Sequence, residues 1–169
     1  VKDLLTLARA DAGFVMELIP LELQPLLEDT ARQAQYLIKG QIFETDLSPA
    51  EGITIQADAD YLKQLLLIFL DNAFKYTPAG QKVTFQARVD QDEVQLIFRD
   101  EGVGIPPKDL PYLFERFYRA QDSRTGEGTG LGLSIAQWII EQHQGRVTVS
   151  SEWGQGSEFI IYFPVLRLF

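Results

Sequence analysis

A chain of 169 residues is long enough for one domain with a substantial core and short for two. Its formal charge of −9 argues against a surface that holds nucleic acid by general basicity, and it makes the position of each Lys and Arg informative wherever an anion must be bound. The lack of cysteine removes disulfides, thiolate catalysis and Cys-zinc centres, and a single histidine cannot build a His-rich metal cluster.

Val1 to Ala10 has helical spacing, with Leu4, Leu7 and Ala8 on one stripe, and Gly13 ends it. That stub is too short to bury its stripe alone. Residues 1–13 therefore read as the tail of a longer helix plus linker, and residues 14–169 as the domain itself. Pro20 and Pro25 punctuate the next stretch, where a second helix is predicted from about Leu21 to Ile38. Phe43, Thr45 and Leu47, then Ile53 and Ile55, predict two short strands around the turn Ser48–Gly52. Asp58 can cap a helix whose apolar positions are Leu62, Leu65, Leu66, Phe69 and Ala73, stopped by Thr77-Pro78-Ala79-Gly80. The run Leu65 to Leu70 is well short of the roughly 20 residues of a membrane span and fits a buried helix face. Val83 to Val89 and Val94 to Phe98 alternate as a hairpin closed by Asp90-Gln91-Asp92. A long segment rich in Gly, Pro and charge runs from Gly102 to Gly128. A helix to about Gln142 follows, then strands at Arg146–Ser151 and Glu158–Phe163. The expectation is about three helices packed on a mixed, mostly antiparallel sheet of about five strands, a two-layer α/β sandwich.

Four blocks along this scaffold carry chemistry. Asn72, Lys75 and Tyr76 share a helix face turned away from the Leu62/Leu65/Phe69 stripe. An Asn carbonyl offers a hard cation such as Mg²⁺ an oxygen without adding charge that would repel phosphates. Lys75 can approach those phosphates, and Tyr76 can line a base or ribose. Asp100 ends the buried face of its strand and needs a donor there, since an unpaired buried carboxylate costs several kcal/mol. Adenine's amino group is one such donor, and guanine's oxygen at the same point would be rejected by roughly 2–3 kcal/mol. The alternative is an Asp that caps its own turn, as Asp-x-Gly sequences often do. Gly102 and Gly104 let the chain turn sharply and approach a base.

Leu113, Phe114 and Phe117 have helical spacing inside the long segment. They fit either a clasp at one end of a lid whose Arg116, Arg119 and Arg124 face phosphates, or a small satellite cluster with surface arginines. Gly126, Gly128, Gly130 and Gly132 precede or enter the helix carrying Leu133, Ile135, Ala136 and Ile139. Backbone N–H groups at a helix start attract phosphate, and glycines clear the approach. The spacing fits neither a dinucleotide-binding fingerprint nor a Walker loop. His143 stands at the end of that helix, where a cation is favoured, and reads as structural.

Together these blocks resemble the catalytic and ATP-binding domain of bacterial sensor histidine kinases, a branch of the gyrase/Hsp90/MutL-type ATPase superfamily. Asp71-Asn72-Ala73-Phe74-Lys75-Tyr76-Thr77-Pro78 looks like the N box, and Asp100-Glu101-Gly102-Val103-Gly104-Ile105-Pro106 looks like the G1 box. Leu113-Phe114-Glu115-Arg116-Phe117-Tyr118-Arg119 is similar to the F box, and Gly128-Thr129-Gly130-Leu131-Gly132-Leu133 to the G2 box. Gly154-Gln155-Gly156-Ser157-Glu158-Phe159 is similar to the closing strand motif, with Ser157 where Thr is more usual.

The resemblance covers nearly everything from Leu21 onward. It implies the Bergerat sandwich, with ATP held between helices and sheet beneath a lid from about Val103 to Thr129. It further implies Mg²⁺ on Asn72, phosphates on Lys75, adenine on Asp100, and phosphate-loop backbone at Gly128, Gly130 and Gly132. Tyr76, Gly102, Gly104, Ile105, Phe117, Arg119, Thr129, Leu131, Leu133 and Ser157 complete the nucleotide site implied. Ile68 departs from the pattern, because sensor kinases usually carry a second Asn there and hydrolysing relatives a general-base Glu.

No His-Glu/Asp-x-Arg/Lys phosphoacceptor box is found in the chain, and Val1 to Gly13 resembles the last turns of a dimerisation helix pair. The implied activity is transfer of the ATP γ-phosphate to a histidine on a separate helical bundle, for relay to a response regulator. The implied setting is cytoplasmic, with no nucleic-acid partner and no membrane contact by these residues.

Overall fold

In the computed structural model, which describes residues 2–118 and 130–167, the order begins α1 (Lys2–Asp11), β1 (Ile19–Glu22), α2 (Leu23–Ala34), β2 (Ile42–Asp46), β3 (Thr54–Ala57) and α3 (Ala59–Tyr76). It continues with β4 (Lys82–Asp90), β5 (Glu93–Asp100), α4 (Gly132–Gln142), β6 (Arg146–Glu152) and β7 (Gly156–Pro164). One mixed sheet has the strand order β2-β4-β5-β7-β6, with β2 parallel to β4 and the other pairs antiparallel. β1 and β3 form a separate antiparallel pair.

The alternation along β4, β5 and β7 follows from a sheet whose one face is covered by helices. Val83, Phe85 and Ala87, then Val94, Leu96 and Phe98, then Phe159, Ile161 and Phe163 are all buried on that face. The register sets Phe85 opposite Phe98 and Phe98 opposite Phe159. Phe98 stacks on Phe85 with ring centroids 4.9 Å apart and on Phe69 of α3 at 5.2 Å. α3 buries Leu62, Leu65, Leu66, Phe69, Leu70, Ala73 and Phe74, and α4 adds Ile135, Ala136, Ile139 and Ile140. Asp58 starts α3 as expected, its carboxylate accepting the Tyr61 N–H at 3.0 Å.

Three expectations are corrected. Residues 19–22 are a strand, and the second helix begins at Leu23 and ends at Ala34, followed by a 3-10 turn over Gln35–Leu37. Pairing of Ile19 to Glu22 with Ala57 to Thr54 is a long-range interaction that overrides the local helical pattern, and Pro20, lacking an N–H, suits such a short edge. The strands flanking Ser48–Gly52 do form, but they belong to different sheets, β2 beside β4 and β3 beside β1. Finally, Leu113 to Phe117 forms turns after the 3-10 turn Leu110–Tyr112 and makes no helix.

α1 lies against α4 and buries Leu7. The chain beyond it is fastened by an aromatic trio. Phe14 sits 6.1 Å from Tyr61 and 6.4 Å from Trp138, and Tyr61 meets Trp138 edge-on at 5.7 Å. The Met16 N–H donates to the Gln142 side chain at 3.1 Å.

His143 joins the end of α4 to the start of α3. Its Nδ1 donates to the Ile139 carbonyl at 2.8 Å, and its Nε2 accepts the Asp58 N–H at 3.1 Å. That pairing requires the neutral ring, and protonation of Nε2 would break the bond to Asp58. Burial pushes its pKa below the usual 6.5, against the opposing pull of the Ile139 carbonyl and the Asp58 carboxylate. His143 is thus structural, as expected, and at 2% exposure desolvation outweighs the pull of the helix dipole towards a cation. Below pH 6.5 the unfolded chain takes a proton that the folded chain refuses. Stability is full above that pH and falls as the pH drops towards the lowered native value, by up to about 1.4 kcal/mol per pH unit. Thermal midpoints measured from pH 7.5 to 5 should fall in this way for the native chain, and His143→Gln should flatten the slope.

Candidate functional site

A cleft of about 910 Å³ opens between α3, the sheet end and the start of α4. α3 presents Ile68, Asn72, Lys75 and Tyr76 to it, the half-buried edge beside its fully buried stripe. The end of α3 is held in place by acceptors that find donors elsewhere. Gln41 Nε2 donates to the Phe74 and Thr77 carbonyls at 3.0 and 2.8 Å, and the Val103 N–H donates to the Tyr76 carbonyl at 3.2 Å. The helix face bearing Asn72 is thereby tied to the loop that follows β5. Lys75 pairs with Asp71 at 3.1 Å, one turn back on the same helix. Both side chains are partly exposed, so the pair is weak and Lys75 can be drawn to a stronger anion.

At the cleft floor Asp100 is 8% exposed, and each of its oxygens accepts a hydrogen bond. Oδ1 takes the Gly102 N–H at 2.9 Å, and Oδ2 takes the Ser157 hydroxyl at 2.9 Å. Asp100 thus does cap its own turn. A carboxylate has about four lone-pair sites, so capping leaves acceptor capacity for a ligand donor. Burial raises the Asp100 pKa, opposed by the Gly102 N–H and by Ser157. Ser157 reaches Asp100 because β5 and β7 place the two directly opposite.

The loop after Asp100 admits no side chain at two points. A Cβ on Gly102 would lie 2.3 Å from the Tyr76 carbonyl oxygen, and one on Gly104, at φ +76°, 2.3 Å from that of Glu152. Ile105 lines the cleft and its N–H donates to Ser151 Oγ at 2.7 Å.

The remaining expected positions divide. Gly130, Gly132 and Leu133 line the cleft, whereas Leu131 is buried at the cap of α4. Leu131 at the N-cap supplies no side-chain cap, and the N–H groups of a helix's first turn suit an anion. Leu113 is buried and Phe114 packs edge-on against Phe159 at 6.5 Å. Phe117 is 64% exposed, at φ +64°, and outside the cleft; its N–H donates to the Gly130 carbonyl at 2.9 Å. Arg116 does not line the cleft and pairs with Asp11 at 2.5 and 3.0 Å, which for this residue is the surface-arginine alternative and not the phosphate-facing one. Tyr118, at the cleft, donates to buried Asp109, which pushes its pKa up to about 12. Arg119, Arg124, Gly126, Gly128 and Thr129 lie outside the described residues.

Sequence reasoning missed Gln41, Tyr118 and Trp153. Trp153 lines the cleft mouth on the β6–β7 turn while 51% exposed. An indole in a turn otherwise made of Gly and Gln was the available signal.

Ile68 faces the cleft one turn before Asn72, its Cγ2 3.5 Å from where a Gly132 Cβ would stand. An alkyl group there activates no water. The donors present fit a magnesium nucleotide. Asn72 supplies a neutral oxygen, Asp100 a buried acceptor for an amino group, and the α4 start a set of uncapped amides. Among the described residues no group of three or more His, Cys, Asp or Glu could hold a metal unaided, so a cation here would share phosphate oxygens.

Residues 57–167 match the family described as histidine kinase-, DNA gyrase B- and HSP90-like ATPase. The chain belongs to this family, within the branch formed by the ATP-binding domains of sensor histidine kinases. It is 39% identical over 166 residues to the adaptive-response sensory kinase SasA of Synechococcus elongatus, covering 95% of this chain and 42% of that one. It is 38% identical to the sensor histidine kinase YkoH of Bacillus subtilis, covering 95% of this chain and 35% of that one. Among solved structures, full-length ShkA in complex with AMPPNP superposes with a TM-score of 0.84 at 32% identity, over 98% of this chain and 35% of that one. The mycobacterial sensor histidine kinase MprB superposes at 0.77 with 26% identity, over 89% of this chain and all of that one. The chain thus spans well under half the length of the curated relatives it matches. The sandwich is the Bergerat type of these kinase domains.

Proposed function

We propose that this chain is the catalytic domain of a two-component sensor kinase that binds Mg-ATP in the α3–sheet cleft and presents the γ-phosphate to a histidine on a separate helical bundle. The observation that carries the reading is one cleft lined by Asn72, Asp100 and the uncapped start of α4. Asp100 accepts the adenine amino group while Gly102 and Ser157 hold it in place. Lys75 leaves Asp71 for the phosphates, which also meet the amides at Gly130 and Gly132. Asn72 would hold Mg²⁺, which neutralises charge on the phosphate oxygens when bound.

Phosphoryl transfer needs chiefly positioning and charge neutralisation, so the site requires no nucleophile of its own. The incoming imidazole nitrogen bonds to the γ-phosphorus, the bond to the β-γ bridging oxygen breaks, and ADP leaves with the electron pair. Ile68 supplies no base for water, which favours transfer over hydrolysis. The phosphate then passes to an aspartate of a response regulator. α1 and the following linker would couple the domain to the bundle, on the cytoplasmic side where ATP is found. No helix among the described residues is long and apolar enough to cross a membrane.

The test is γ-labelled ATP with Mg²⁺ and an added phosphoacceptor bundle. Label on the bundle's histidine, with little free phosphate, is the expected result. Binding without transfer would favour an inactive regulatory module, and steady phosphate release a hydrolase.

A further inference from the structure

Trp153 does not belong to the four motif blocks, yet the fold holds it rigidly at the mouth of the cleft. Its turn is stitched to the loop after Asp100. The Gly154 N–H donates to the Val103 carbonyl at 2.6 Å, and Ser151 Oγ accepts the Ile105 N–H at 2.7 Å while donating to the Gly156 carbonyl at 3.0 Å. No side chain fits between the two segments, because a Cβ on Gly104 would lie 3.1 Å from Trp153 Cα. The position is therefore fixed by backbone contacts, independent of the indole. The indole is nonetheless 51% exposed and lines the cleft beside Val103, Gly104 and Ile105. β5, β6 and β7 put that turn at the Asp100 end, since Ser157 faces both Asp100 and Ser151. A large flat aromatic left half in water on a rigid mount, beside the acid that selects the base, is suited to a planar ligand.

We propose that Trp153 is a positioning residue for the purine, giving it a stacking face at the outer end of the cleft. This rests on the ATP reading above. Asp100 reads the edge of the base, and Trp153 covers part of its plane. Any base has a π-face, so Trp153 contributes affinity for adenine nucleotides and little discrimination among purines. Tripolyphosphate, which lacks a base, gains nothing from it.

The experiment uses two readouts. The chain has two tryptophans, and Trp138 lies in the aromatic trio with Phe14 and Tyr61. In Trp138→Phe the emission reports Trp153 alone, and titration with Mg-ADP should quench or shift it with the same midpoint that calorimetry gives. Trp153→Leu should weaken Mg-ADP binding about 5- to 10-fold, and Trp153→Phe less than 3-fold. The affinity for tripolyphosphate should be unchanged in both. Unmoved emission while calorimetry records binding, or equal losses for ADP and tripolyphosphate, would overturn the stacking role and leave the ATP reading standing. No heat from the native chain with any adenine nucleotide would remove the ATP reading itself and this inference with it.

Discussion

Asp100→Asn should lower Mg-ATP affinity by about 100-fold or more and collapse the preference for adenine over guanine. The carboxylate has both oxygens engaged, one by the Gly102 N–H and one by the Ser157 hydroxyl. An amide keeps only one acceptor oxygen. Its NH₂ group can donate to the Ser157 hydroxyl, which turns to accept, but the single remaining oxygen is then shared between the Gly102 N–H and the adenine amino group. A hydrogen bond to a charged group contributes about 1.5–3 kcal/mol, and the neutral amide forfeits that charge. The same NH₂ is a good partner for the guanine oxygen, so Mg-GTP should lose far less. Calorimetry with both nucleotides checks this. Unchanged ATP affinity would move the purine away from Asp100 and leave the buried acid as a turn cap only.

The second large effect is on stability. Phe69→Ala should destabilise the chain by about 3–5 kcal/mol and lower the thermal midpoint by roughly 10 °C. Phe69 is 1% exposed, and its ring lies 5.2 Å from both Phe98 and Phe159. It therefore joins α3 to two central strands at once. Little can collapse into the gap, because Phe98 is already stacked on Phe85 and Phe159 already bears Phe114. Net stabilities are commonly about 5–15 kcal/mol, so the loss is a large share of the whole. Asn72 follows on the same helix one turn later, and its aim into the cleft depends on how α3 is seated, so nucleotide affinity should fall as well. Urea unfolding gives the energy, and a loss below about 1 kcal/mol would contradict the packing described.

What was legible in the sequence was whatever a short stretch encodes by itself. Asp58 before an apolar stripe marks the start of α3, and the same stripe leaves Asn72, Lys75 and Tyr76 on the half-buried edge beside it. Even spacing along Val94, Leu96 and Phe98 carries Asp100 to the buried end of β5. The features that escaped depend on partners far along the chain. β1 is a strand because β3 pairs with it, and that pairing carries Leu21 and Glu22 out of the helix expected to begin there. Gln41 matters through the Phe74 and Thr77 carbonyls, more than 30 residues away. Phe117 has the helical spacing of a clasp, but no helix forms there, so Leu113 and Phe114 are buried without it. His143 is structural as expected, but its two partners, the Ile139 carbonyl and the Asp58 N–H, lie on different helices and show only in the fold. Trp153 needed the sheet register to bring its turn beside Asp100.

The bond between Asp11 and Arg116 joins the end of the first helix to the turns that follow Leu110–Tyr112. Both side chains stand largely in water, so dissolved ions weaken their attraction, and such pairs contribute little by themselves. The greasy contact of Phe14 with Tyr61 and Trp138 is indifferent to salt. The first helix and the residues just after it are therefore held to the body of the domain by a firm anchor and to the turns at Arg116 by a soft tether. The two can respond to the same movement with different stiffness, and brine loosens only one of them.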